Sequence, residues 1–156
     1  MNVRVETLAP ASVAYLRHVG PYGESIARFW IDSVAPWMAA NGLLGHARYG
    51  ISHDDPSVVK PGKCRYDACV EVPEDAVLSG KAQRTTLPGG RYAVLEFTGD
   101  ARAIGEAWTA LLRDWLPESG LQLDNRPCFE HYPAERAEKQ REKSFSCRLC
   151  VPVMDL

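Results

Sequence analysis

Apolar positions recur along this chain in two periods, about two residues in some stretches and three to four in others. The switch between them lays out the elements. Residues 3–7 and 12–19 alternate as two short strands around Pro10. Gly20-Pro21-Tyr22-Gly23 is a turn that launches a helix, in which Ile26, Trp30, Val34 and Trp37 form one apolar stripe. Pro36 has no N–H and bends or ends the regular helix nearby; Asn41-Gly42 closes it. Residues 48–53 are a third strand, 54–63 a loop holding Pro56, Pro61 and Gly62, and 65–73 a fourth strand. Residues 74–80 are too short for a free linker between independent domains. The plan then repeats. Residues 81–87 and 91–98 are strands around Pro88-Gly89-Gly90, and Asp100 is the N-cap of a helix with Ile104, Trp108, Leu111, Leu112 and Trp115 on one face. Residues 117–120 end it, 127–132 and 145–153 are the last strands, and 134–143 read as solvated chain or a polar helical turn.

The repetition extends to individual residues. Trp30 and Trp37 recur as Trp108 and Trp115 at an offset of 78, where Ile26 also meets Ile104, Gly42 meets Gly120, Arg48 meets Arg126, His53 meets His131 and Cys69 meets Cys147. Upstream the offset is 79, matching Leu8 with Leu87, Ala14 with Ala93, Leu16 with Leu95 and Gly20 with Gly99. The expectation is an α+β fold made by tandem duplication of two ββαββ modules, residues 1–78 and 79–156 of one domain spanning 1–156. A pseudo-two-fold axis between such units joins their sheets and leaves a central ligand cleft lined from both halves.

Composition narrows the function. A chain of 156 residues with 46% apolar and 24% charged residues can bury an ordinary core without staples. A net charge of −2 leaves no electrostatic footprint for nucleic acid or an anionic membrane, so neither is expected as a partner. The N-terminus is polar by Arg4 and Glu6 and no apolar run is long enough to span a bilayer, so a cytoplasmic location is expected. The five cysteines are expected to be reduced thiols. Cys147 and Cys150 have metal-site spacing, but residues three apart on a strand face opposite ways, so no metal site is expected. No P-loop, dinucleotide fingerprint or nucleophile elbow occurs, and no cofactor is expected.

The chemistry concentrates in Cys128-Phe129-Glu130-His131-Tyr132. Strand alternation sets Cys128, Glu130 and Tyr132 on one face and Phe129 and His131 on the other. A carboxylate among apolar side chains is costly unless paired, hydrogen-bonded or protonated. At the 78-residue offset the counterpart of Glu130 is Ser52, so the fold itself does not require the acid. We take Glu130, Tyr15, Tyr66, Trp108, Phe129 and Tyr132 as candidate ligand-binding residues, and assign Trp30 and Trp37, present in both halves, to core packing. In an enzyme reading Glu130 is the catalytic base and Tyr66 or Tyr132 the donor to a developing oxyanion. His18, His46, His53 and His131 form no convincing relay.

Four runs carry a resemblance: Val13-Ala-Tyr-Leu-Arg-His-Val-Gly-Pro-Tyr-Gly-Glu, Arg65-Tyr-Asp-Ala-Cys-Val-Glu-Val-Pro, Leu87-Pro-Gly-Gly-Arg-Tyr-Ala-Val and Arg126-Pro-Cys-Phe-Glu-His-Tyr. In this order they resemble the GyrI-like small-molecule-binding family, also known as the gyrase-inhibitor or effector-binding family and found at the C-terminal end of AraC-type and MerR-type multidrug regulators. The resemblance implies a tandem of SHS2-type modules. It also implies a cleft glutamate, flanked by aromatics, that receives cationic or bulky hydrophobic compounds; Glu130 matches that motif. Because the duplication begins at Met1, no helix-turn-helix is expected and the chain resembles a stand-alone form. The leading expectation is therefore a binder of small hydrophobic or cationic molecules. The alternatives implied by the resemblance are a hydrolase of cyclopropane-containing DNA-alkylating natural products and a protein that protects DNA gyrase. A haem reading, suggested by the likeness of SOUL-type proteins to this fold, lacks an axial histidine that can be placed.

Overall fold

The computed structural model of the chain describes residues 1–134 and 145–156; apart from Ala134, the polar segment expected at 134–143 lies outside the described residues. The strands are β1 (Val3–Leu8), β2 (Ala11–Val19), β3 (Arg48–Ser52), β4 (Arg65–Glu71), β5 (Gln83–Leu87), β6 (Gly90–Gly99), β7 (Leu121–Leu123), β8 (Phe129–Tyr132) and β9 (Phe145–Asp155). Helix α1 consists of Glu24–Phe29, a π-helical stretch Trp30–Val34 and Ala35–Ala40. Helix α2 consists of Ala101–Thr109, a π-helical stretch Ala110–Trp115 and Leu116–Glu118. Each π stretch lies just before a proline, Pro36 or Pro117, in the first two positions of the next α segment. A residue without an N–H breaks the regular ladder there, and a wider turn absorbs the break. Asp100 caps α2 as expected, its Oδ1 accepting from the Ala103 N–H at 2.9 Å. The short strand β7 was not anticipated.

Sheet order is β1-β6-β9-β8-β3-β4-β2-β5, with β7 paired to β9. All pairings are antiparallel. The two halves of the chain meet where β3 pairs β8, Gly50 lying opposite Glu130 and Arg48 opposite Tyr132. Strands β1 and β2 do not form the hairpin that adjacency suggests: β1 pairs β6, and β5 pairs β2. The first strand of each half thus completes the other half's sheet. The two linkers that make these crossings touch one another at Gly89, where a Cβ would lie 2.5 Å from the Leu8 carbonyl oxygen and 2.8 Å from Pro10 N. Glycine is needed there for close backbone approach.

Both helices lie on one face of the curled sheet. Val34 and Met38 of α1 pack on Ala14, Tyr66, Ala68 and Val70, while Leu111 of α2 packs on Ala93, Leu149 and Val151. The other face packs on itself, with Val13, Leu87, Tyr92 and Val94 gathered around Tyr49 and Phe129. Burying each such Val or Leu contributes about 1.5–3 kcal/mol. Cys147 faces the helix side and Cys150 the far side, so the strand geometry separates the two sulfurs. All five cysteines are unpaired. The far side also holds a buried acid: Asp67, 4% exposed, accepts from Arg17 at 2.7 and 2.9 Å, with His53 Nε2 at 2.7 Å. Among the described residues no helix is long and apolar enough to cross a membrane.

Candidate functional site

Between α1 and α2, over the β3–β8 junction, lies an open cleft of about 1760 Å³. Its floor is set by strand alternation. Arg48 and Gly50 on β3, Tyr66 on β4, and Glu130 and Tyr132 on β8 all face the cleft, while Trp30 and Trp108 reach down from the two helices. Gly50 is a structural requirement of this floor. A Cβ at position 50 would overlap the Tyr66 hydroxyl and lie 3.2 Å from Glu130 Oε1.

Glu130 is held by two donors. Trp108 Nε1–H donates to Oε2 at 3.1 Å and the Tyr132 hydroxyl donates to Oε1 at 2.9 Å. Loss of hydration pushes the carboxyl pKa up, and these two bonds oppose the shift only in part, so it stays above its ordinary value. Burial likewise pushes the Tyr66 and Tyr132 hydroxyls up, the nearby Glu130 charge adding to both, so both remain protonated donors. In the first half the corresponding arrangement is neutral: Trp30 Nε1–H donates to the Tyr66 hydroxyl at 2.9 Å. The rings form a connected wall, with Trp30 edge-on to Tyr66 at 6.5 Å and to Tyr132 at 6.3 Å, and Tyr22 edge-on to Tyr66 at 6.5 Å. The Arg48 guanidinium lies 5.6 Å from the Trp30 ring and 5.1 Å from the Tyr132 ring.

Of the six expected binding residues, Glu130, Tyr66, Trp108 and Tyr132 line this cleft. Tyr15 and Phe129 are placed elsewhere. Tyr15 packs against the far-side cluster and donates to Gln83 Oε1 at 3.0 Å; Phe129 is 5% exposed in that same cluster. The reason is period-two alternation, which sets Phe129 one residue out of phase with Glu130. Trp30, assigned from sequence to the core, is a cleft wall, and Tyr22, Arg48 and Gly50 are cleft residues that sequence reasoning missed. The signal for Arg48 and Gly50 was available: on β3 they share the face that β8 presents through Glu130 and Tyr132. His53 sits at the rim but is tied to Asp67, and His131 is stacked on Tyr49 on the far face, 4.7 Å between rings. Among the described residues no group of three or more His, Cys, Asp or Glu could hold a metal ion.

Residues 1–154 match a protein family described as the GyrI-like small molecule binding domain. A relative named DNA gyrase inhibitor, from Edwardsiella piscicida, is 32% identical over 137 residues, covering 85% of this chain and 86% of its own. Among solved structures, the C-terminal domain of EcmrR superposes with a TM-score of 0.77 at 18% identity, over 99% of this chain and 98% of that one. The structure of SAV2435 bound to tetraphenylphosphonium has a TM-score of 0.64 at 19% identity, over 99% of this chain and 94% of that one. At these identities the two structures establish the shared fold, a mixed α/β architecture of curled antiparallel sheet and two helices.

Proposed function

This chain belongs to the GyrI-like small-molecule-binding domain family, and from that premise we propose that it binds lipophilic compounds bearing a cationic group in the cleft, with Glu130 as the charge partner and Trp30, Tyr66, Trp108 and Tyr132 as aromatic walls. One observation carries this reading: the Glu130 carboxylate stands under-solvated between two aromatic donors on the floor of a 1760 Å³ cleft. An ion there lacks hydration, and a ligand cation supplies the missing partner while the ring faces add about 0.5–2 kcal/mol each. The likeness to a protein solved with tetraphenylphosphonium supports the same ligand class.

The symmetry of the cleft supports reading the two halves as copies of one ββαββ unit. Leu8 pairs Gly90 as Leu87 pairs Ala11, and Val5 pairs Ala93 as Arg84 pairs Ala14, the same register under the 79-residue offset.

The test is calorimetric titration of tetraphenylphosphonium into wild type and Glu130→Gln. Glutamine keeps the shape and removes the charge, so affinity is expected to fall by roughly 1–3 kcal/mol. Because the carboxyl pKa is raised and a cation favours the ionised form, binding by wild type should release protons in mildly acid buffer, and binding by the variant should not. Equal affinity and equal proton release in the two proteins would refute the reading. A hydrolase remains the second reading, since the same carboxyl adjoins two tyrosine hydroxyls. Mass spectrometry of the recovered ligand separates the two readings.

A further inference from the structure

We propose that the ligand this cleft selects carries, close to its cationic group, a neutral hydrogen-bond acceptor such as a carbonyl oxygen, which takes the proton of the Tyr66 hydroxyl. This rests on the cleft-binding reading above and narrows its ligand class.

A tyrosine hydroxyl has one proton to give and two lone pairs with which to accept. The chain has six tyrosines. Five of them donate to an acceptor within the protein: Tyr15 to Gln83 Oε1, Tyr22 to the Arg65 carbonyl, Tyr49 to Glu71 Oε1, Tyr92 to the Pro88 carbonyl and Tyr132 to Glu130 Oε1. Tyr66 is the exception, although at 2% exposed it is more buried than all of the others but Tyr92. Its hydroxyl accepts from Trp30 Nε1–H at 2.9 Å, and among the described residues no atom accepts its own proton. The bond from Trp30 accounts for the oxygen and leaves the proton unspent. A donor buried without an acceptor forfeits its hydration with nothing in return, so the fold gains by whatever supplies the acceptor.

That proton stands on the cleft floor beside the charge partner. The Tyr66 hydroxyl fills the space above Gly50, where a Cβ would overlap it and lie 3.2 Å from Glu130 Oε1. The two oxygens are therefore neighbours across Gly50, yet no bond joins them, because the donors to Glu130 are Trp108 and Tyr132. Burial and the Glu130 charge both hold the Tyr66 hydroxyl in its protonated form. A cation seated at Glu130 thus lies next to an unspent donor, and an acceptor a few bonds from the charge satisfies both. A ligand made only of cation and hydrocarbon covers the hydroxyl and shuts its proton off from water, which a site of this kind penalises. The lining also holds Arg48, Asp54, Asp55 and Arg113. Asp54 is paired with Arg65, and Asp55 accepts from the Ser57 hydroxyl. All four act alike on two ligands of equal charge, so a choice between such ligands reads the neutral acceptor alone.

A matched pair of phosphonium ions tests this. (4-Oxopentyl)triphenylphosphonium and its 4-methylpent-4-enyl analogue share charge and shape, a methylene replacing the carbonyl oxygen in the second. Calorimetric titration of wild type should give about fivefold tighter binding of the ketone, the worth of one net hydrogen bond. Tyr66→Phe keeps the ring and should abolish or reverse that preference, whereas Glu130→Gln should weaken both ligands to a similar degree and preserve the ratio. With carbon-13 at the carbonyl, the infrared band of the ketone bound to wild type should lie below its position in an aprotic solvent, and Tyr66→Phe should remove that displacement. Thermal melts report whether each variant is folded; if Tyr66→Phe is not, the wild-type band decides. Equal binding of the two ions by wild type, an undisplaced carbonyl band, or a preference that survives in Tyr66→Phe overturns the assignment of Tyr66. If the ions bind equally and Glu130→Gln still weakens both, the acceptor assignment falls and the cation-binding reading stands. Failure of wild type to bind either ion, or indifference of both to Glu130→Gln, refutes the cation-binding reading and this assignment with it.

Discussion

Gly50→Ala is the sharpest test of how the cleft floor is packed, because two general effects predict opposite signs. Gly50 sits inside β3, and its backbone is not in the left-handed region, so φ and ψ would accept alanine. On conformational entropy alone the substitution should stabilise the protein by about 0.5–1 kcal/mol. Packing argues the other way. The added Cβ would overlap the Tyr66 hydroxyl and lie 3.0 Å from its Cζ and 3.2 Å from Glu130 Oε1. Tyr66 cannot step aside cheaply, being 2% exposed and held by the bond from Trp30. Overpacking of this kind costs typically 1–3 kcal/mol. Packing should therefore win, by a net of roughly 0–2.5 kcal/mol. For a chain of this size that corresponds to a fall in Tm of up to about 10 °C. Tyr66→Phe removes the atom that clashes most, so the double variant should be more stable than the sum of the single changes. Urea denaturation of the four proteins gives this coupling energy, expected at about 1–2 kcal/mol. If Gly50→Ala alone stabilised the protein, or if the double variant showed additivity, the floor would be looser than the distances state. The requirement for glycine at position 50 would then be wrong.

Two further outcomes concern the frame. Asp100→Ala removes the acceptor that caps α2 and should cost about 1 kcal/mol in chemical denaturation, with Asp100→Asn restoring most of it. Asp67→Asn breaks the contacts with Arg17 and His53; because Arg17 is 40% exposed, the expected cost near neutral pH is about 1–3 kcal/mol rather than that of a fully buried pair. Burial raises the Asp67 pKa, but the bonds from Arg17 and His53 outweigh it and hold the group below its ordinary value. Its contribution is therefore present above the unfolded pKa of about 4 and is lost as pH falls through the lowered folded value, so the stability gap between wild type and Asp67→Asn should close in acid.

What could be seen in the sequence was whatever depends on local periodicity. The two amphipathic helices, the strand around Glu130 and the helix cap at Asp100 are each fixed by neighbours a few residues away, and each lies where the pattern set it. What could not be seen depends on which strands pair. Two adjacent strands around Pro10 leave their partners open; the exchange of β1 onto β6 and β5 onto β2 is a tertiary choice made where the linkers cross at Gly89. The same blindness misplaced Trp30. Recurrence at the 78-residue offset marked it as framework, yet a helix that flanks a cleft buries one side of its apolar stripe and offers another part of it to the ligand. Tyr15 and Phe129 failed for the opposite reason: alternation already set Phe129 on the face away from Glu130, and their aromatic character outweighed that rule.

The two halves of the chain set different oxygens beneath their helix tryptophans. In each half a helix tryptophan directs its indole N–H down to an oxygen on the sheet: Trp30 to the Tyr66 hydroxyl, Trp108 to the Glu130 carboxylate. A hydroxyl satisfies that donor without introducing charge, so packing alone does not call for an acid at the second position. Choosing glutamate there carries a desolvation cost that the bonds from Trp108 and Tyr132 only partly offset, as the raised pKa records. A carboxylate held there between aromatic side chains is hard to explain as a stability device, since an uncharged residue of similar volume would serve the packing at least as well. It is well placed to discriminate between ligands, because a site built around a specific polar group rejects molecules that leave that group unpaired more strongly than an apolar pocket rejects a misfit.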